Sequence, residues 1–403
     1  MKVSGARLEL GLLVAFCFFL PIVEPWKNIT WALYLICWIV NRLRSGRWGG
    51  RWDGWDTLIV AWMASGFVVA AFAGEHHDEW RGALDIVRYG SILWLVKRAG
   101  YSAVEMRWII GTLVASTLFG LAIGYYRLWS GLAKSGTLQL YSVGHVNHTA
   151  VYLAIMLGLC VSWLLGSWRA CGVAAKALAL AVTGVVLGSL IFTASRGAIG
   201  IGLALLPLLG LAWRARLRWA FVAGLGAAAL IVAAGVWLGA EVVKREQNYE
   251  STANILSFRD GIWRMGMVGW RHNPWFGVGI DNYQLITPER VKGWLAAEGK
   301  TYDPAQYVNF PHAHNLYINT LAERGLFGVA VLVFVLLAWL AALRRRPPPG
   351  AANLDWTLWG AALGAWFVTV GVGLVNTTLH HEHGILAVLL LGLWLSRRKA
   401  RAS

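Results

Sequence analysis

The stretch YVNFPHAHNLYINTLAERGLFG, residues 307–328, joins the longest polar loop of the chain to a long apolar segment. Two histidines, His312 and His314, stand at the entrance to that segment. The loop covers residues 240–314, and the sequence on either side of it consists of one apolar run after another. We therefore expect the chemistry of this chain to take place where the loop meets the apolar segments.

A high apolar content and a low charged content exclude a soluble globular protein. Hydrophobic residues make up 58% of the 403 residues and charged residues 14%, whereas soluble domains carry about 25% charged residues. The 25 tryptophans fit a membrane protein, because indole rings anchor at the level of the lipid headgroups. The four cysteines show neither a CxxC motif nor Cys/His spacing, so we expect no disulfide framework and no zinc site.

The apolar runs predict an all-α polytopic membrane protein with about twelve transmembrane helices. A helix needs about 20 mainly apolar residues to cross the bilayer core. The predicted spans lie near 8–23, 26–41, 57–74, 80–97, 107–126, 147–166, 176–194, 197–213, 219–239, 319–343, 354–376 and 384–396. The domain prediction is spans 1–9 in residues 1–239, a large loop in 240–314 and spans 10–12 in 315–403. The first run lacks a cleavage pattern, so we expect it to be retained as a helix.

The distribution of Lys and Arg predicts the orientation of the chain. The 36 basic and 20 acidic residues give a net charge of +16, and most of the basic residues outside the loop lie in connections on the side of both termini. Because cytoplasmic connections are enriched in Lys and Arg, we predict cytoplasmic termini and a loop that faces the outside or the periplasm. The basic residues form short clusters between apolar runs, so nucleic acid is not an expected partner.

The loop itself contains a predicted helix. The segment SFRDGIWRMGMVGWRHNPWFGVG, residues 257–279, has amphipathic spacing that ends at Asn273-Pro274 and is followed by a glycine-rich turn. We expect this helix to lie near the membrane surface.

Three arginines on the predicted periplasmic side are candidate anion ligands. Arg196, in TASRGAIG, is expected at the N-terminus of a helix, where free amide groups favour an anion; the alternative is an interfacial arginine that snorkels to water. Arg88 lies within the fourth span, one turn from Asp85, so structural pairing and ligand binding are both open. Arg259 starts the loop helix, where it could bind phosphate or form a surface salt bridge.

The histidines at the loop exit predict a general base. We place His314 in the first turn of a helix, where the dipole and nearby arginines disfavour the imidazolium and leave a neutral ring that can accept a proton. The weaker candidate is His312, and a metal bound by both is disfavoured because residues two apart face different sides of a helix.

Two further groups of histidines are expected on the same face. His145 and His148 start the sixth span, where support of the site and simple helix capping are both open. His380, His381 and His383, beside Glu382, keep a metal-binding alternative open. This face combines arginines with a candidate base and no obvious carboxylate cluster, which favours chemistry on a lipid diphosphate without a metal or another cofactor.

Four motifs resemble those of the O-antigen ligase family (WaaL-type), whose superfamily also contains O-antigen polymerases and protein O-oligosaccharyltransferases. They are SRGA at 195–198, NHTAVYL at 147–153, FRDGIW through NPWFGVG at 258–279, and PHAHNLYINTLAERGLFG at 311–328. The resemblance covers about residues 140–345 by motif and the whole chain by topology.

The resemblance implies a GT-C-like, inverting glycosyltransferase of the bacterial inner membrane. Such enzymes move O-polysaccharide from undecaprenyl diphosphate to the outer-core sugar of lipid A, without a metal. Carried over to this sequence, Arg196 and Arg259 would hold the diphosphate and His314 would be the base, with Arg264 an alternative to Arg259. Further substrate contacts are expected at Arg88, Arg264, His312, His148 and Tyr317.

Two kinds of rival function remain open from the sequence. A polymerase or a protein O-oligosaccharyltransferase of the same superfamily would use a different acceptor, although the short C-terminal end favours the ligase over the protein-glycosylating relatives. A non-enzymatic transporter of lipid-linked glycan would need charges distributed through the membrane depth. Here the charges gather at one face, which argues against transport.

Overall fold

The computed structural model describes residues 2–133, 136–168, 170–213 and 259–402. These residues form thirteen α-helices and two short 3-10 helices, with no β-strand among them. The first eight helices are Lys2–Phe19 (α1), Glu24–Ser45 (α2), Gly54–Ala71 (α3), Glu79–Ala99 (α4), Ala103–Trp129 (α5), Val146–Ser167 (α6), Val173–Phe192 (α7) and Arg196–Trp213 (α8). The others are Arg259–His272 (α9), Pro288–Ala297 (α10), Leu316–Arg344 (α11), Asn353–Val372 (α12) and His381–Ala402 (α13).

The all-helical, polytopic architecture predicted from the apolar runs is confirmed. Eleven of the helices lie at predicted spans, and the span predicted at 219–239 falls outside the described residues. Six described helices, α3, α5, α6, α7, α8 and α11, are long and apolar enough to cross a membrane by length and composition. The chain is therefore a multi-pass membrane protein.

Helix α6 is the centre of the helix bundle. It packs against α7, α8, α12 and α13, and most of its side chains are buried. Helix α13 also packs against α4, and α1 packs against α2 and α5. This arrangement brings the N-terminal ends of α6, α8 and α13 close to one another, although they are far apart in sequence.

Buried ion pairs connect helices at the end of the bundle that carries the chain termini. Asp56 of α3 is fully buried, 2.8 Å from the ammonium of Lys97 and 2.7 Å from the guanidinium of Arg98 on α4. Two of the basic residues that predict the orientation are thus neutralised in place, because a buried charge requires a partner.

The described part of the loop has its own apolar core. Helix α9 ends at His272, directly before Asn273-Pro274, as predicted. The loop helices and the start of α11 enclose one cluster of buried side chains: Ile262, Met265, Val268, Val278, Tyr283, Ile286, Val291, Leu295, Ala313 and Ala322. Since Ala313 belongs to this cluster, the loop core directly fixes the segment that carries the two histidines.

Candidate active site

The segment with His312 and His314 is fixed by the cap of helix α11. The side chain of Asn315 accepts hydrogen bonds from the backbone N–H of Tyr317 and Ile318, at 2.9 and 3.0 Å, and donates one to the carbonyl of Leu374 at 2.8 Å. An asparagine cap of this kind satisfies N–H groups that the helix cannot. The helix therefore begins at Leu316, and His314 lies just before the cap. The prediction that His314 occupies the first helical turn is wrong, because Asn315 caps the helix after it.

The backbone at His314 is strained. Its φ is 49°, in the left-handed region that a residue with a β-carbon rarely adopts, at a cost of about 1–3 kcal/mol. The preceding residue is held on both sides, since the N–H of Ala313 donates to Asn319 Oδ1 and its carbonyl accepts from Trp263 Nε1, both at 2.9 Å. Helices α9 and α11 together impose the orientation of the His314 ring.

The imidazole of His314 is neutral at physiological pH. Burial is the largest effect, and the neighbouring His312 and Arg259 add to it, so that the pKa of His314 falls to about 4. A contact with Asn376 opposes this lowering, and His145 contributes least. The ring atom Nδ1 is enclosed and has no hydrogen-bond partner among the described residues.

The ring of His312 lies against that of His314, with centroids 4.2 Å apart, and Phe310 contacts both rings. Burial, with a smaller effect from His145, also lowers the pKa of His312. Its Nε2 is enclosed without a hydrogen-bond partner in the described part of the chain. The structure thus brings both predicted histidines into one neutral pair.

The two loop arginines differ in their surroundings. Arg259 is half-buried, burial lowers its pKa, and it is close enough to His314 to affect the charge of that ring. Arg264 is exposed and donates from Nη1 to the side-chain oxygen of Gln306 at 2.9 Å. Of these two arginines, Arg259 is the one beside the histidine pair.

Arg196 is the first residue of α8 and is exposed. The hydroxyl of Ser195, just before it, donates to Asn147 of α6 at 3.0 Å. On the other side, a β-carbon on Gly197 would lie 2.4 Å from the side chain of Val375, the neighbour of Asn376. The start of α8 therefore packs beside the segment that contacts His314.

Two other predicted contacts are occupied within the protein. Arg88 forms an ion pair with Asp85, with Nη1 and Oδ1 3.2 Å apart, and its guanidinium lies over the ring of Trp31. The hydroxyl of Tyr317 donates to the carbonyl of Val370 at 2.9 Å, which joins α11 to α12. The present contacts of both side chains are structural.

A cavity of about 330 Å³ opens beside the histidine pair. This volume is within the range of about 300–1,000 Å³ that is usual for ligand sites. Of the predicted site residues, His312 and His148 line it, whereas His314, Arg196 and Arg259 do not. His380 and His381 complete this side of the wall.

The opposite wall of the cavity carries charges that the sequence did not reveal. Asp85, Asp281 and Glu323 line it together with Arg324. Among the described residues these carboxylates line the cavity but do not form one of the groups that are close enough together to hold a metal ion. These residues come from α4, the loop and α11, and no spacing in the sequence shows that the three segments meet. Burial and the nearby Asp85 raise the pKa of Asp281.

A break in α11 positions Glu323 and Arg324. Four backbone hydrogen bonds of 2.9–3.1 Å join residues 274–279 to residues 322–327. At the break, Gly325 has φ 61°, and a β-carbon there would lie 2.3 Å from the backbone of Trp275. The Nε and Nη2 atoms of Arg324 are buried and have no hydrogen-bond partner among the described residues. The glycine-rich turn and the ERG sequence signal this contact, although only the structure identifies it.

Comparison with known proteins gives one informative match. A family model described as O-antigen ligase matches residues 181–333. The matched range includes Arg196, Arg259, His312, His314 and the break in α11. No curated protein sequence matches the chain.

Proposed function

We propose that this multi-pass membrane protein, whose residues 181–333 match the family model described as O-antigen ligase, is an inverting, metal-independent glycosyltransferase. The donor is O-polysaccharide on undecaprenyl diphosphate, and the acceptor is the outer-core sugar of lipid A. The observation that carries this proposal is the neutral, strained His314 beside Arg259.

His314 acts as the general base. Its neutral ring takes the proton from the acceptor hydroxyl while the hydroxyl oxygen attacks the anomeric carbon and the bond from that carbon to the diphosphate oxygen breaks. The neighbouring His312 supports the neutral state of His314 by adding a second ring that disfavours positive charge. A positioned base contributes about 10²- to 10⁴-fold to the rate.

The arginines stabilise the departing diphosphate. Arg259 is the nearer to His314, and Arg196 adds a side chain at the N-terminus of α8, where helix amide groups favour negative charge. The planar guanidinium donates two parallel hydrogen bonds to phosphate oxygens. The exposed Arg264, which bonds to Gln306, is assigned no contact with the diphosphate.

The cavity binds the sugar next to the reacting centre. Its wall offers carboxylates at Asp85, Asp281 and Glu323 and an amide at Asn319, groups that form hydrogen bonds with sugar hydroxyls. Because His312 also lines the cavity, a sugar bound there is adjacent to the histidine pair.

The chain lies in the inner membrane with its termini in the cytoplasm and the site facing the periplasm. Support comes from a second cavity, at the end of the bundle that holds the C-terminus, which is strongly basic. Its charged lining consists of Asp53, Lys97, Arg345, Arg346, Arg398 and Lys399. Positive charge of this kind is typical of the cytoplasmic side.

The test is transfer by the purified full chain with undecaprenyl-diphosphate-linked glycan and lipid A-core. We expect glycan on lipid A-core with wild type and with the control variant His272→Ala, because the exposed His272 stacks on Trp294 away from the pair. We expect Arg259→Ala and Arg196→Ala to weaken donor binding. Donor affinity unchanged in both variants would contradict the diphosphate site.

The same assay separates the rival functions. Glycan that lengthens on its own lipid carrier would identify a polymerase, and glycan on an added acceptor protein would identify a protein O-oligosaccharyltransferase. Movement of intact lipid-linked glycan across a vesicle membrane, without bond formation, would identify a transporter.

A further inference from the structure

Three histidines from two distant parts of the chain converge on one wall of the cavity. They are His148 of α6, His380 before α13 and His381 at its start. One ring nitrogen of each lies within 4.8 Å of the others. The ring of His148 is centred 4.6 Å from that of His381 and 6.1 Å from that of His380.

The backbone of the turn before α13 places two adjacent imidazole rings close together. Leu379 and His381 have φ values of 54° and 46°, so two residues with β-carbons adopt the left-handed region within three positions. Each such residue costs about 1–3 kcal/mol and persists only where the surroundings impose it. The hydroxyl of Thr378 donates to the carbonyl of Thr369 at 2.7 Å, which anchors the turn to α12. As a result, the rings of His380 and His381 lie 3.8 Å apart.

The imidazoles of this triad form no hydrogen bond with any described residue, although His148 is buried. Because all three residues line the cavity, a single ion there can contact the three ring nitrogens at once. The nearby ammonium of Lys27 is neutralised by Glu382 in a buried ion pair.

We propose that His148, His380 and His381 form a binding site for one divalent transition-metal ion of the Zn²⁺ class. Imidazole nitrogen suits Zn²⁺, Cu²⁺, Ni²⁺ and Co²⁺, whereas Mg²⁺ and Ca²⁺ prefer oxygen ligands. Zinc binds histidine nitrogen at about 2.0–2.1 Å, so nitrogens that lie within 4.8 Å of one another need to approach by about 1 Å to share one ion. Three protein ligands would leave a fourth position for water or another ligand, as in catalytic zinc sites. The site does not depend on the proposed glycosyl transfer.

The test measures metal binding directly on the full chain, purified in detergent with a tag that contains no histidine. The EDTA-treated protein is titrated with Zn²⁺ and, separately, with Co²⁺. We expect one Zn²⁺ per chain and the visible absorption bands of four-coordinate Co²⁺. We expect His381→Ala and His148→Ala to lose both signals, while His272→Ala and His77→Ala, two exposed histidines outside the triad, bind like wild type.

Two outcomes would overturn the proposal. One is wild type without stoichiometric Zn²⁺ or Co²⁺ bands, and the other is His381→Ala that binds like wild type. His381 is the decisive position because its side chain is exposed, so its replacement leaves the helix packing intact. Loss of binding in His312→Ala but not in His381→Ala would assign the ion to the catalytic pair and would also contradict the triad.

Discussion

The left-handed backbone of His314 shows how few contacts hold the candidate base in place. On one side, the backbone of Ala313 forms hydrogen bonds with the side chains of Trp263 and Asn319. On the other side, the side chain of Asn315 caps helix α11. The strained backbone conformation of His314 is maintained because these hydrogen bonds act together. The orientation of the ring is thus a property of two helices and not of the histidine alone.

Replacing Trp263 with Phe tests this support. The substitution keeps most of the packing but removes the indole N–H that bonds to the carbonyl of Ala313 at 2.9 Å. A neutral hydrogen bond contributes about 1 kcal/mol, so we expect about fivefold slower glycan transfer and a melting temperature a few degrees lower. In the control Trp294→Phe the affected ring stacks on His272, and transfer should be unchanged. Equal rates for the two variants would contradict a positioning role for Trp263.

The pH dependence of transfer tests the charge of His314. A neutral base is required, so with a pKa of about 4 wild-type kcat should be flat from pH 8 to about 5 and fall below that. Removing the neighbouring positive charge in Arg259→Gln raises the pKa of His314 and should move the acid limb to higher pH. The exposed Arg264→Gln is the matched control and should keep the wild-type profile. An acid limb that stays in place in Arg259→Gln would contradict this coupling.

The same pKa has a consequence for stability. In the unfolded chain His314 titrates near its ordinary value of about 6.5 and binds a proton that the folded state excludes down to about pH 4. The unfolded state therefore binds more protons in this window, and the free energy of unfolding falls as the pH is lowered from about 6.5 towards 4.

Helix α11 is the element on which the site depends most. The two histidines lie just before its capped N-terminus, and its break at Gly325 packs against residues 274–279 of the loop. The sequence predicted the helix, the loop helix α9 and its end before Asn273-Pro274. It did not predict the break, because a single glycine is tolerated within a helix and does not show which distant segment approaches it.

Substitution of Gly325 tests the contact between loop and helix. In Gly325→Ala the new β-carbon meets the backbone of Trp275 at 2.3 Å, and the φ of 61° adds strain, so we expect more than about 3 kcal/mol of destabilisation. Gly293→Ala, on α10, meets nothing within 4 Å and should be neutral or slightly stabilising. Thermal unfolding followed by tryptophan fluorescence measures both. A Gly325→Ala protein as stable as wild type would mean that the loop does not need this close approach.

Across the whole molecule, the apolar runs were sufficient to predict where the helices lie in the sequence but not which helices pack against one another. Periodicity and hydropathy locate a span, whereas the packing of α6 against α12 and α13 depends on shape complementarity between distant segments. For this reason the meeting of His148 with His380 and His381, and of Asp85 with Glu323, could not be derived from the sequence. Candidate residues that lie within one motif, such as His312 and His314, could be identified from the sequence.

The proposed mechanism also predicts how the intact enzyme responds to chelation. In the proposed mechanism Arg196 and Arg259 stabilise the negative charge of the leaving diphosphate. EDTA should therefore leave the rate of glycan transfer unchanged, even after it removes an ion from the histidine triad. The measurement is initial rate with and without EDTA on the same preparation. Activity that is lost with EDTA and restored by Mg²⁺ or Mn²⁺ would show that a cation, and not the arginines, stabilises the leaving diphosphate.

The most direct test of the central claim, that His314 is the base of a glycan transfer reaction, is single-turnover transfer to lipid A-core by wild type and His314→Ala. The account predicts product with wild type and a rate about 10²- to 10⁴-fold lower with the variant, equivalent to about 3 to 5 kcal/mol, with unchanged donor binding and melting temperature. A correctly folded His314→Ala enzyme with near-normal turnover would contradict it.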